Sequence, residues 1–115
     1  MTTTVNWYYH RKNCNTCKKM ESFLEDQKAD IKELTIANKV RYDGDKALEL
    51  AHAASKVYIA KGKKLYRFDM SKEAPADEEL LKHMLGPHGN LRAPVVVKGK
   101  SLFVGFLEDE FQKLF

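Results

Sequence analysis

Apolar and polar residues follow two different rhythms along the chain. Val5-Asn6-Trp7-Tyr8-Tyr9 is rich in strand formers and gives way to the polar loop His10-Arg11-Lys12-Asn13. The period then changes. From Asn15 to Lys28 the apolar positions Met20, Phe23 and Leu24 share one helical face, with Cys17 a turn earlier on the same stripe. Ile31-Lys32-Glu33-Leu34-Thr35-Ile36 reads as a second strand, and strand–helix–strand predicts a parallel pair joined by a right-handed crossover. Tyr42-Asp43-Gly44-Asp45 is a turn in which Asp43 or Asp45 caps a helix carrying Ala47, Leu48, Leu50, Ala51 and Ala54. Val57 to Met70 has no clear period and is expected to be a helix end followed by an irregular segment. Asp77 to Leu85 is a short helix, introduced by Ala74-Pro75-Ala76 and stopped by Gly86-Pro87. Pro94-Val95-Val96-Val97-Lys98 is the most strand-like stretch; Lys98-Gly99-Lys100-Ser101 turns it back into Leu102-Phe103-Val104. Leu107 to Phe115 closes the chain as a helix whose first turn holds Glu108, Asp109 and Glu110.

Composition narrows this to one soluble domain spanning residues 1–115. Of the 115 residues 43% are hydrophobic and 31% charged, enough to bury one core but not two. No apolar run reaches the ~18 residues of a membrane helix. Met1-Thr2-Thr3-Thr4-Val5-Asn6 lacks the basic start and apolar stretch of a signal peptide, so the expected compartment is the cytosol. The net charge of +4 is modest and scattered. Its densest cluster, Lys61-Gly62-Lys63-Lys64, reads as a solvated turn, and no RNA-binding or zinc-finger signature accompanies it. Neither a nucleic acid nor a membrane is expected as partner, and the expected state is a monomer.

The chemistry is concentrated in His10-Arg11-Lys12-Asn13-Cys14-Asn15-Thr16-Cys17-Lys18-Lys19. The two cysteines are spaced so that their sulfurs meet across one helical turn, at a strand–helix junction. Cys14 falls at the helix N-terminus, where unpaired N–H groups and the helix dipole favour an anion. His10, Arg11, Lys12, Lys18 and Lys19 add positive charge. Both effects favour thiolate over thiol and predict that Cys14 is the nucleophile and the more buried Cys17 the resolving thiol. A C-x-x-C between strand and helix in a cytosolic chain signals redox chemistry. Two alternatives stand beside it. One is an unreactive core pair, which the polar loop around Cys14 opposes. The other is a zinc site completed by His83 and His88, which lie too far along the chain for a compact finger, so no metal is expected. His10 is either solvated or a cation and proton donor beside Cys14.

Tyr9-His10 with Cys14-Asn15-Thr16-Cys17-Lys18-Lys19, then Lys63-Lys64-Leu65-Tyr66, Asp77-Glu78-Glu79-Leu80-Leu81, Leu91-Arg92-Ala93-Pro94-Val95-Val96-Val97 and Val104-Gly105-Phe106, resembles the arsenate reductase ArsC/Spx family over essentially the whole chain. The resemblance implies an α/β fold: a thioredoxin-like (glutaredoxin-like) mixed sheet with a helical insert, in the order βαβ-α-α-ββα. It implies Cys14 as nucleophile, His10 keeping it ionised, and a cis Ala93–Pro94 bond facing the site. Residues expected to touch substrate are Asn13, Asn15, Thr16, Arg92, Ala93 and Pro94. Arsenate-reducing members of the family grip the oxyanion with three arginines, and the corresponding positions here hold Ala60, Ala93 and Val104. Arg92, Arg67 and Arg11 are the available partial substitutes. The retained second cysteine matches the subgroup that includes Spx-like redox regulators, which act by binding RNA polymerase.

Three functions follow as expectations. The first is a thiol–disulfide oxidoreductase with no bound cofactor, acting on a thiol or disulfide substrate or a redox protein partner. Glutathione, glutaredoxin or thioredoxin would be its reductant. The second is a redox-sensing regulatory protein in which the same disulfide changes affinity for a partner. The third is a glutathione- or glutaredoxin-dependent arsenate reductase, weakened by the missing arginines because planar guanidinium groups are the best clamp for an oxyanion.

Overall fold

A computed structural model describes residues 3–12, 14–72, 75–86 and 89–115. The first strand has a break. Thr4–Val5 (β1) and Trp7–His10 (β2) flank Asn6, whose Oδ1 accepts a 2.7 Å bond from the Gly99 N–H. The next strand is divided in step with it, into Asp30–Ile31 (β3) and Leu34–Ile36 (β4), so that β1 pairs with β3 and β2 with β4, both parallel. Between them runs a helix, Asn15–Asp26 (α1), and the expected parallel β-α-β start is present.

A helix over Gly44–Ala53 (α2) follows, its N-terminus capped by Asp43, which accepts from Lys46 N–H at 3.2 Å. The next stretch corrects the sequence reading. Instead of a helix end and an irregular segment, Lys56–Lys61 (β5) and Lys64–Asp69 (β6) form an antiparallel hairpin around Gly62-Lys63. Val57 and Ile59 are fully buried on one face of β5, and such β-branched residues suit a pleated surface. The cluster Lys61–Lys64 is the exposed turn that its charge suggested. The insert between the two halves of the fold therefore carries a hairpin as well as helices. The helix Asp77–Met84 (α3), the strands Val95–Lys98 (β7) and Ser101–Val104 (β8), and the helix Glu108–Leu114 (α4) complete the chain.

The main sheet has the order β4-β2-β7-β8-β5-β6, with β7 antiparallel to β2 and β8, and β5 parallel to β8. Side chains alternate across it. Trp7 and Tyr9 join Ala47, Ala51, Leu80 and Met84 on the face covered by α2 and α3. Tyr8 joins Met20, Phe23, Leu24 and Phe111 on the face covered by α1 and α4. Phe103 is fully buried, stacked on Tyr58 at 5.1 Å and edge-on to Phe111 at 5.2 Å. Burying one such ring contributes about 1.5–3 kcal/mol. The aromatic residues are thus chiefly packing residues.

His83 is the one charged or polar residue fully inside the core among the described residues. It stacks on Tyr66 at 4.1 Å, its Nδ1 has no hydrogen-bond partner, and its Nε2 lies 3.7 Å from Glu79. Burial, then Lys61, holds its pKa below the ordinary histidine value, Lys82 adding to this and Glu79 opposing it. The unfolded chain therefore binds a proton that the folded chain resists. Stability is expected to fall as pH drops from about 6.5 through the lower folded value. Urea midpoints at pH 7.5 and 5.5 test this: a His83→Phe variant should lose less than the wild type on acidification, and an equal loss would refute it.

Candidate active site at the Cys14–Cys17 turn

The end of β2 and the start of α1 hold the two cysteines. Cys14 is the N-cap of α1, in extended conformation (φ −119°, ψ 120°), and its carbonyl accepts the first helical bond from Lys18 at 3.0 Å. Its sulfur accepts from the Cys17 N–H at 3.4 Å, where Ser, Thr or Asp ordinarily supplies an oxygen. No acidic side chain occupies the first turn, so the positive end of the helix faces this sulfur without a competing carboxylate. Cys14 is partly exposed and Cys17 is fully buried on the stripe with Met20, Phe23 and Leu24. Both are free thiols.

Cys17 is a poor acid here. Burial pushes its thiol up to about 12, and its hydrogen bond to Cys14 adds to this; the Arg11 backbone N–H pulls the other way. In the pair, Cys17 is the donor and Cys14 the acceptor.

The preceding loop is pinned from the side of β4. The Ala37 N–H donates to the His10 carbonyl at 2.7 Å, and the Lys12 N–H to Asn38 Oδ1 at 2.7 Å. His10 itself is held by Tyr8 and not by a hydrogen bond to either cysteine. Its Nδ1 lies 2.7 Å from the Tyr8 hydroxyl, which also donates to the Cys17 carbonyl at 3.2 Å. A phenol has one proton; donated to that carbonyl, it leaves His10 Nδ1 as the donor and Nε2 turned toward Glu21, 4.0 Å away. Burial, the largest cause, raises the Tyr8 pKa, and the neighbouring Glu21 carboxylate adds to it, so the hydroxyl stays protonated. Tyr8 and Glu21 escaped the sequence reading. Tyr8 was accessible to it, because residues two apart on a strand share a face.

On the other side, the register Tyr9↔Val95 sets the start of β7 beside the end of β2. Ala93–Pro94 is a cis peptide, as the resemblance implied, and Pro94 is buried with its carbonyl accepting from Gly105 N–H at 2.8 Å. A family model for the ArsC family matches residues 9–114. The chain belongs to the ArsC family. Its mixed α/β sheet with four helices is consistent with the thioredoxin-like fold expected of that family. Among curated proteins none matches the chain.

The remaining expected site residues are placed as follows. Asn15 and Thr16 are exposed on the first turn of α1, and Asn13 lies outside the described residues. Of the positions where other ArsC proteins would carry oxyanion arginines, Ala60 and Val104 are core residues. Ala93 lines an open cavity with Arg92 and Arg11. Arg92 donates from Nη1 to the His83 carbonyl at 3.1 Å, satisfying the C-terminal end of α3. Arg67 sits on the outermost strand and pairs with Glu110 at 3.3 Å. For zinc, His83 lies under α3, on the sheet face opposite α1, and His88 is outside the described residues. No group of three or more metal-ligating side chains occurs among the described residues. None of the described helices is long and apolar enough to cross a membrane.

Proposed function

We propose that this ArsC-family protein is a cytosolic, monomeric thiol–disulfide oxidoreductase that uses Cys14 and Cys17 as a dithiol. The observation that carries the reading is the polarity of the pair: a partly exposed sulfur at a helix N-terminus accepts a hydrogen bond from the backbone N–H of the second cysteine, whose buried thiol stays protonated. The Cys14 thiolate attacks one sulfur of a substrate disulfide, forming a Cys14 mixed disulfide and releasing the other sulfur as thiolate, which takes up a proton. Cys17 then loses its proton and attacks the Cys14 sulfur. The second substrate thiol leaves, and the Cys14–Cys17 disulfide holds the oxidation. Two electrons have passed to the substrate. A dithiol protein such as glutaredoxin or thioredoxin, or two glutathiones, returns them.

The mixed disulfide also eases its own resolution. Once Cys14 is bonded to substrate it no longer raises the Cys17 pKa, while the Arg11 N–H continues to lower it. Burial, the larger cause, remains, so resolution is the slow step. His10 and Tyr8 position the loop. Arsenate reduction is the weaker reading because Ala60, Ala93 and Val104 offer no guanidinium.

A redox titration in glutathione buffers with thiol trapping tests the proposal. A reversible disulfide with a midpoint between roughly −180 and −280 mV is expected. Cys17→Ser should accumulate a Cys14 mixed disulfide visible by mass. Failure to form either disulfide would overturn the reading.

A further inference from the structure

Among the described residues the large apolar side chains left exposed are Ile31, Leu34 and Val40, on β3, on β4 and in the turn that follows β4. Leu34 is the most open of them, at 56%. β4 is the outermost strand on its side of the main sheet, and β3 pairs only with β1. The Glu33 carbonyl accepts from the Tyr8 N–H at 2.9 Å, and the Ala37 N–H donates to the His10 carbonyl at 2.7 Å. The backbone groups that alternate with these, the N–H and C=O of Leu34, therefore face away from β2 toward the free edge. Such an edge is a template for another extended chain, and proteins ordinarily blunt it with charge. β4 itself carries no charged residue.

Between this edge and α1 lies a cleft of about 400 Å³. Leu24, Ile31, Leu34 and Ile36 give it apolar surface, while Tyr8 and His10 in its lining are bonded to one another at 2.7 Å. Its charge runs against that of the chain. Glu21 and Glu25, one turn apart on α1, outnumber Lys12 in the lining, whereas the whole chain carries +4. The ammonium of Lys32, between β3 and β4, is held by Asp30 at 2.7 Å.

We propose that the β4 edge and its cleft dock an extended apolar segment of a partner protein, one that carries lysine or arginine. The segment adds a strand beside β4, its main chain bonding the Leu34 N–H and C=O. Its alternate side chains enter the cleft, an apolar one against Leu34 and Ile36 and a basic one against Glu21 and Glu25. A second copy of the chain suits this edge less well. Paired edge to edge in a two-fold contact, two copies would present the same carboxylates to each other. The surface uses neither Cys14 nor Cys17 and stands apart from the thiol-exchange reading.

Titration of the full chain with a short peptide of alternating valine and lysine, acetylated and amidated, tests this against the same peptide with glutamate for lysine. The net charge of +4 favours the glutamate peptide, so a preference for lysine reports the cleft. Saturable binding of the lysine peptide is expected, with slower hydrogen exchange at the Leu34 N–H. Glu25→Gln should weaken it about threefold, for one exposed ion pair. Leu34→Lys should weaken it about tenfold or more, by removing apolar contact and placing a like charge on the edge. Both positions are exposed, and an unchanged melting midpoint shows that each variant is folded. No heat from the lysine peptide, equal or tighter binding of the glutamate peptide, or an unslowed Leu34 amide in the bound state would overturn the proposal. So would a dimer in sedimentation that Leu34→Lys dissociates, since a second copy would then hold the edge.

Discussion

Replacing Cys14 with serine is expected to cut disulfide-exchange turnover by roughly three orders of magnitude or more, measured with a small chromogenic disulfide at pH 7. The remaining sulfur cannot take over. With its pKa pushed up to about 12, Cys17 stays protonated at pH 7, and it is fully buried. The reciprocal variant behaves differently. Cys17→Ser keeps the exposed N-cap sulfur and should still make the first bond, giving a single burst of released thiol and then a stall. A Cys14→Ser protein that retained a tenth of wild-type turnover would place the nucleophile elsewhere. Serine is a good N-cap, so the helix should survive the change, and a lost activity then belongs to the sulfur.

How much of this was legible in the chain depends on whether a signal was local. α1 was legible because Met20, Phe23 and Leu24 repeat at helical spacing, and the cysteine pair came with it. β7 and β8 were legible because Val95–Val97 and Leu102–Val104 are apolar runs around a Gly-containing turn. The β5–β6 hairpin was not. Its outer strand follows a half-buried pattern without period two, since β6 is an edge strand with Lys64 and Arg67 exposed. Lys63 and Lys64 beside Gly62 then read as solvated charge without showing that strands flank them. The breaks at Asn6 and between β3 and β4 were hidden as well, because the Asn6 bond to Gly99 is made across the length of the chain. The same holds for the site. Tyr8 could be inferred to share a face with His10, but nothing in the chain showed that Arg11 and Ala93 line one cavity. They meet only because the Tyr9↔Val95 register sets the end of β2 beside the start of β7.

Gly105 ties the sheet to this end of the molecule, and Gly105→Ala is expected to cost about 2–5 kcal/mol in total. Two terms make up that figure. At φ +79° an L side chain is strained, by about 1–2 kcal/mol. A Cβ there would also lie 2.5 Å from the Ala60 carbonyl oxygen, which is backbone inside β5 and cannot rotate away. Overpacking of this kind costs about 1–3 kcal/mol, against a typical total stability of about 5–15 kcal/mol. Gly99→Ala is the control. It has a similar angle, φ +62°, with nothing within 4 Å of its would-be Cβ, so it should bear the strain and not the clash. Chemical denaturation of both variants separates the two contributions, and equal losses would show that the Ala60 contact is relieved at no cost. The consequence for function follows from the Gly105 N–H, which donates to the Pro94 carbonyl at 2.8 Å. Moving Gly105 off β5 moves or breaks that bond. Disulfide exchange, measured well below the melting point, should therefore slow in Gly105→Ala and stay at the wild-type rate in Gly99→Ala. If both variants exchange at the wild-type rate while folded, the Gly105–Pro94 bond supports stability and has no part in the chemistry.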